Sequence, residues 1–293
     1  MQFAYQELQN IITEMIVGYK KAAYNKLVIL EIPEDAKTNL HRKNVVKPQF
    51  AKYRASKALV REIIDLTTGQ RVETAYSINV NDFIYRSGKI VSPTDPFDEN
   101  LEEVCSSGIH FYLDREVAEF YEKHTPRNGE CKNWHDNGLF ERHSFMKEGK
   151  KHGEFKAYSD KVDGLMIFTE NYFEGKKHGV SKTFFDTTGT PCEESTYEND
   201  KLNGKYLRWY PSGQIQIDCY YIKGKLDGEY RQWYEDGKLR FKNIYNNHNR
   251  EGEALEWHPN GQLARQMFFK DDFRVGTEKI WDKEGRLVRE WSW

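Results

Sequence analysis

The sequence predicts a two-part fold: an α+β domain over residues 1–127, then an all-β array of about seven β-hairpin repeats over residues 128–293, extending as an elongated twisted sheet. Three observations carry this. Glycines recur at 129, 153, 179, 204, 228, 252 and 276, spaced 24 to 26 residues apart. An aromatic stands five residues after each: Trp134, Tyr158, Phe184, Trp209, Trp233, Trp257 and Trp281. Residues before 128 show no such period and none of the chain's seven tryptophans.

In the first part, Tyr5, Leu8, Ile12, Met15, Ile16 and Tyr19 recur at helical spacing and predict an amphipathic helix. Lys26–Ile32 reads as a strand closed by Pro33. Ala58–Ile64 and Val72–Tyr76 flank the turn signal Thr67-Thr-Gly-Gln70, and Phe83–Tyr85 and Lys89–Val91 flank Arg86-Ser-Gly88, so two hairpins are expected. Asp114 is placed to cap a helix through Val117, Phe120 and Tyr121. His124 to Asn128 reads as the linker.

In the second part, apolar strand runs are broken by Asp-Asn-Gly, Pro-Ser-Gly, Glu-Asp-Gly and Pro-Asn-Gly. Proline lacks the N–H that a two-residue turn needs but fits position i+1 of a type I turn, and the next glycine takes the left-handed site of a bulge. This turn sets the register. Trp134 should face Phe140, Trp209 Ile215, Trp233 Leu239, Trp257 Leu263 and Trp281 Leu287, all large apolar pairs. Unbroken alternation would put Met146, Tyr221, Tyr245, Phe269 and Trp293 on the same face, with Tyr234 opposite. The second glycine comes two residues late at Gly164 and one late at Gly189, so those turns are enlarged.

Gly149-Lys-Lys-His-Gly153, Gly175-Lys-Lys-His-Gly179 and Gly224-Lys-Leu-Asp-Gly228, each followed by an aromatic-rich strand, resemble MORN repeats of the bacterial and large-virus variant. Asp200, His248 and Asp272 depart from the pattern, standing where the glycine before the loop is expected. The first part resembles an uncharacterised α+β domain recurring in giant viruses of amoebae, through Leu30–Ala36, Phe83–Gly88, Cys105-Ser-Ser-Gly-Ile-His-Phe111 and Arg115–Tyr121. Where that domain reads Lys-Cys-Arg-Ala, this chain has Lys52-Tyr-Arg-Ala55. The resemblance brings no activity. It implies a cytoplasmic location, in host cytoplasm or in a virion.

Composition narrows the function. Forty-four basic and 46 acidic residues leave a net charge of −2, so no charge excess points to nucleic acid or a membrane surface. No apolar run approaches the roughly 20 residues of a membrane helix. Glu7 and Glu14 in the opening segment argue against a secretory signal. Cys105, Cys131, Cys192 and Cys219 are widely spaced, as reduced thiols are; no metal set or cofactor motif is apparent, and no cofactor is expected.

The expected function is therefore non-enzymatic: an interaction or assembly protein, which the giant-virus resemblance narrows to a minor structural component of a virion. The alternatives are an antitoxin-like or effector-binding module and a Cys-dependent enzyme. Cys105 and His110, five residues apart around Gly108, are the only catalytic candidates, since a thiol nucleophile needs a base. Lys150, Lys151, Lys176 and Lys177 recur at one repeat position, and the MORN resemblance implies anionic lipid headgroups for such a ladder. The array's 27 basic and 28 acidic residues argue against that. Trp291 and Trp293 have two readings: cover for the last hairpin beside Val275 and Leu287, or an assembly edge for a second copy or another protein over residues 276–293.

Overall fold

The computed structural model describes residues 16–121 and 127–293. It divides into two compact units, one running to Gly149 and taking in Tyr158–Gly164, the other comprising Lys150–Ala157 and Leu165–Trp293.

In the first unit, β1 (Ile16–Ala22), β2 (Lys26–Ile32), β3 (Lys52–Ala55), β4 (Ala58–Asp65), β5 (Thr74–Tyr76), β6 (Ile84–Arg86), β7 (Ile90–Val91) and β8 (Ile109–Tyr112) precede one short helix, α1 (Arg115–Phe120). Six strands form an antiparallel sheet in the order β3-β8-β1-β2-β4-β7, while β5 and β6 pair apart. Both faces are covered. Val28, Leu30, Val60, Tyr53 and Phe111 pack on one, and Leu27, Ile29 and Tyr112 pack with Val117 of α1 and Trp134 on the other. Lys26–Ile32 is a strand as expected, and Asp114 caps α1 by accepting from the Val117 N–H at 3.1 Å.

Three expectations fail here. The described part of this unit is mostly β rather than α+β. Tyr5, Leu8, Ile12 and Met15 lie outside the described residues, as do His124–Pro126 of the expected linker, but Ile16 and Tyr19 belong to β1. A strand covered on both faces is apolar at odd and even positions alike, and over a short run this imitates a helix. The turn at Arg86–Lys89 forms, with the Lys89 N–H donating to the Arg86 carbonyl at 3.1 Å. Its flanking strands then part, β6 to β5 and β7 to β4.

The hairpin register is the one the turns predict. Trp134 pairs with Phe140, Trp209 with Ile215, Trp233 with Leu239, Trp257 with Leu263 and Trp281 with Leu287. Gly237 holds φ at +85°, and its N–H donates to the Tyr234 carbonyl at 3.0 Å. Successive hairpins join through two-residue turns in which both residues have positive φ, such as Lys223-Gly224 and Asn247-His248.

The single-face stripe is overturned. Trp233 pairs with Leu239 but Gln232 with Phe241, leaving Arg240 as an extra, bulged residue. Partners share a face and neighbours do not, so the bulge sends Phe241, Asn243 and Tyr245 opposite Trp233. The same shift recurs at Trp209, Trp257 and Trp281. Tyr230, Phe241 and Tyr245 form a ring cluster on the second face, with centroids 6.1 Å apart.

Candidate functional site

Hydrogen bonds with the repeat's own period hold the array. Tyr210 donates to the Trp233 carbonyl at 3.0 Å, Tyr234 to that of Trp257 at 2.8 Å, and His258 Nε2 to that of Trp281 at 2.9 Å. At the other edge the N–H groups of Gly175, Asp200, Gly224, His248 and Asp272 reach the carbonyls of Lys151, Lys177, Leu202, Leu226 and Arg250. Asp200, His248 and Asp272 thus perform the glycine's task at φ between +66° and +81°. Their side chains meet the same backbone, Asp200 Oδ1 accepting from the Lys177 N–H at 2.8 Å.

The lysine ladder divides in two. Lys150 and Lys176 are exposed. Lys151 lies over the rings of Phe155 and Tyr172, at 4.3 and 4.7 Å from their centroids. Lys177 pairs with Glu170 and lies over Tyr197. A strand's alternation aims every second lysine at an aromatic ring, so the four do not form one basic patch.

Trp291 and Trp293 share a face, 6.4 Å between centroids. It is not the face of Leu287. Trp291 pairs with Glu278, whereas Leu287 pairs with Trp281 across the bulge, so the indoles do not cover the stripe beside Leu287. They stand instead by the buried carboxylate of Glu278, which is held by Arg265 and Arg274 and receives Trp293 Nε1 at 3.4 Å. Trp291 is half-buried and Trp293 is 62% exposed. Phe273, Val288 and Leu287 are also exposed, at 76%, 65% and 51%.

In the first unit, Cys105 and His110 do line one groove, an open cavity of about 590 Å³. They do not form a dyad. His110 Nε2 donates to the Val104 carbonyl at 2.9 Å, and burial, with the charges of Lys20 and Lys52, pushes the imidazole down to about 4. The exposed thiol of Cys105 instead receives a hydrogen bond from Lys52 Nζ at 3.5 Å. Lys20 enters the same groove from β1, its ammonium 5.9 Å from the Tyr85 ring centroid. Burial, then the charge of Lys52, pushes it down to about 8.

One fully buried residue sets the groove's wall. Arg54 donates to the backbone carbonyls of Asp98, Asn100, Glu103 and Ser107 and lies over the Phe97 ring. The loop that carries the acidic residues Asp98, Glu99, Glu102 and Glu103 is thereby folded around a guanidinium. Its side chains are engaged as well: Asp98 accepts from Ser106, and Glu102 from the Lys43 N–H. Gly108 allows the close approach, because a Cβ there would lie 2.9 Å from that of Arg54. Lys52 and Arg54 were visible in sequence only as part of a family block. Lys20 carried no signal, since its role depends on where β1 meets β8.

Two family models match separate parts of the chain. Residues 7–118 match a family of unknown function (DUF5758). Residues 202–223, 226–247 and 250–271 match the MORN repeat variant, one hairpin each. No curated protein matches the chain. The hairpin register extends past the matched repeats, since Trp134–Phe140 and Trp281–Leu287 pair in the same way. Among the described residues, no helix is long and apolar enough to cross a membrane.

Proposed function

We propose that this protein is a non-enzymatic interaction or assembly protein whose repeat array supplies the binding surface. MORN repeats suggest a protein-interaction or binding module. The observation that carries the reading furthest is the last hairpin. Phe273, Val288 and Trp293 are each more than half exposed there, beside the half-buried Trp291. Exposed aromatic and aliphatic groups gathered on one hairpin are what a protein partner buries, and indoles supply a large share of such binding energy. The occupant is a second copy of the chain or another protein, docking over residues 276–293.

Light scattering of the full chain and of Trp291→Asp/Trp293→Asp tests this, together with pull-downs using both. The wild-type chain is expected to dimerise or to retain a partner that the double variant loses. Folded monomers in both cases, with identical retained proteins, would sink the reading. A narrower form, a minor structural component of a virus particle, rests only on the resemblance of residues 30–36, 83–88, 105–111 and 115–121. Mass spectrometry of purified particles tests it.

A further inference from the structure

From the groove between β1, β3 and β8 we infer a second, separate binding site in the first unit: a pocket for a small organic anion, a carboxylate or phosphate monoester with a flat apolar body. Its walls and its charges point the same way. Tyr85, Phe83 and Tyr121 offer aromatic surface, and Lys20 and Lys52 bring two ammonium groups from different strands. Among the described residues neither lysine is ion-paired; Lys20 has only the Tyr85 ring, and Lys52 the Tyr121 ring and the Cys105 thiol. The two cations stand without a counter-ion and repel each other, and Lys20 has lost solvation as well, so an anion between them relieves both costs. Among the described residues, the one carboxylate lining the groove is Asp95. The hydroxyl of Ser77 also lines the groove and can bond one of the anion's remaining oxygens. A volume of about 590 Å³ suits a small ligand rather than a bare ion.

Arg54 makes the site a built one. It ties down the loop that carries Cys105, Ser106 and Ser107, so these groups are preorganised rather than gathered by the ligand.

Cys105 is the reporter. It is exposed in the groove, whereas Cys131 and Cys219 are buried and Cys192 is half-buried. Iodoacetamide alkylates a thiolate by forming an S–C bond as iodide leaves, and a ligand in the groove blocks that approach. Phenyl phosphate and benzoate are the anionic probes, benzyl alcohol the neutral one and inorganic phosphate the bare ion, each added to the full chain with peptide mass spectrometry as readout. Saturating phenyl phosphate or benzoate is expected to slow alkylation of Cys105 but not Cys192. Lys20→Met and Lys52→Met should raise the concentration needed by about tenfold each, the loss of one charge-assisted hydrogen bond. Inorganic phosphate should protect less than phenyl phosphate.

Equal protection by benzyl alcohol would overturn the inference. So would an unchanged Cys105 rate at millimolar phenyl phosphate and benzoate, or protection unaltered in folded lysine variants. If a variant fails to fold, salt decides on the wild-type chain: protection that ignores ionic strength rules out an electrostatic anion site.

Discussion

The two units reach order by different physics. The first closes a core in which Leu27, Val28, Leu30, Val60, Ile63, Tyr53 and Phe111 lose all solvent exposure, and it buries a guanidinium among backbone carbonyls to hold one loop. The array has few such positions. Its tryptophans remain half-buried, apart from the exposed Trp293, and what repeats every 22 to 24 residues is a hydrogen bond from one hairpin to the next. A sheet of stacked hairpins has little interior, so adjacent repeats must satisfy each other's backbone. Damage should therefore be large and global in the first unit, and graded and local in the array.

Arg54→Leu offers the hardest test of that contrast. It takes the guanidinium away from four loop carbonyls, of which those of Asn100 and Ser107 keep a backbone N–H donor, so the first unit should lose about 3 to 4 kcal/mol in urea unfolding. A loss under about 1 kcal/mol would show that the loop at residues 98–107 holds itself, without the guanidinium.

His110 tests the same unit through pH. Its folded-state value is depressed to about 4 from an ordinary 6.5, by burial first and then by Lys20 and Lys52. The unfolded chain binds the proton first, so the stabilisation is whole above pH 6.5 and drains away as pH falls through 4. The loss reaches roughly 3 kcal/mol. Urea unfolding at neutral pH and near pH 4 should show a smaller drop for His110→Gln than for wild type. Equal drops would mean the imidazole is more solvated than its position implies.

In the array, Trp233→Ala should cost about 2 kcal/mol, below the 3–5 typical of a fully enclosed aromatic, because the indole is only half-buried. Tyr234→Phe should cost about 1 kcal/mol by removing the hydroxyl that reaches the Trp257 carbonyl. Thermal melts that place Tyr234→Phe at zero would demote the inter-repeat bond to an ornament of packing.

What the sequence revealed follows the same division. The pairing of Trp209, Trp233 and Trp257 with Ile215, Leu239 and Leu263 was readable because Pro211, Gly237 and Pro259 dictate local turn geometry. Arg240 was not readable as a bulge, for an extra residue two positions past a turn leaves no chemical mark, and so one stripe was expected where there are two. Cys105 and His110 line one groove, but each finds another partner there, Lys52 for the thiol and the Val104 carbonyl for the imidazole, which their spacing in sequence does not reveal. The groove's charge comes from Lys20 and Lys52, on strands that reach β8 only through the sheet order. Non-local pairing of this kind also separated β6 from β7.

The smallest effect concerns the residues that replace glycine at the inter-hairpin turns. His248 holds φ at +81° and Asp272 at +70°, a region that L side chains enter at a cost and glycine enters freely. Backbone preference alone would make both sites improve on substitution by glycine. The side chains separate them. His248 contributes only a long 3.4 Å contact from the Leu226 N–H to its Nδ1, whereas Asp272 Oδ1 receives Arg250 Nε at 2.6 Å as well as that residue's N–H. Relief of the positive φ, less the added freedom of glycine in the unfolded chain, should leave His248→Gly more stable by about 0.5 kcal/mol. Asp272→Gly gains the same relief and gives up its exposed ion pair with Arg250, so it should be neutral or slightly destabilising. Melting the two variants side by side checks the order, and high salt should narrow the gap by weakening the Arg250–Asp272 pair alone. Equal gains at both sites would mean that the Asp272 carboxylate adds nothing to the turn.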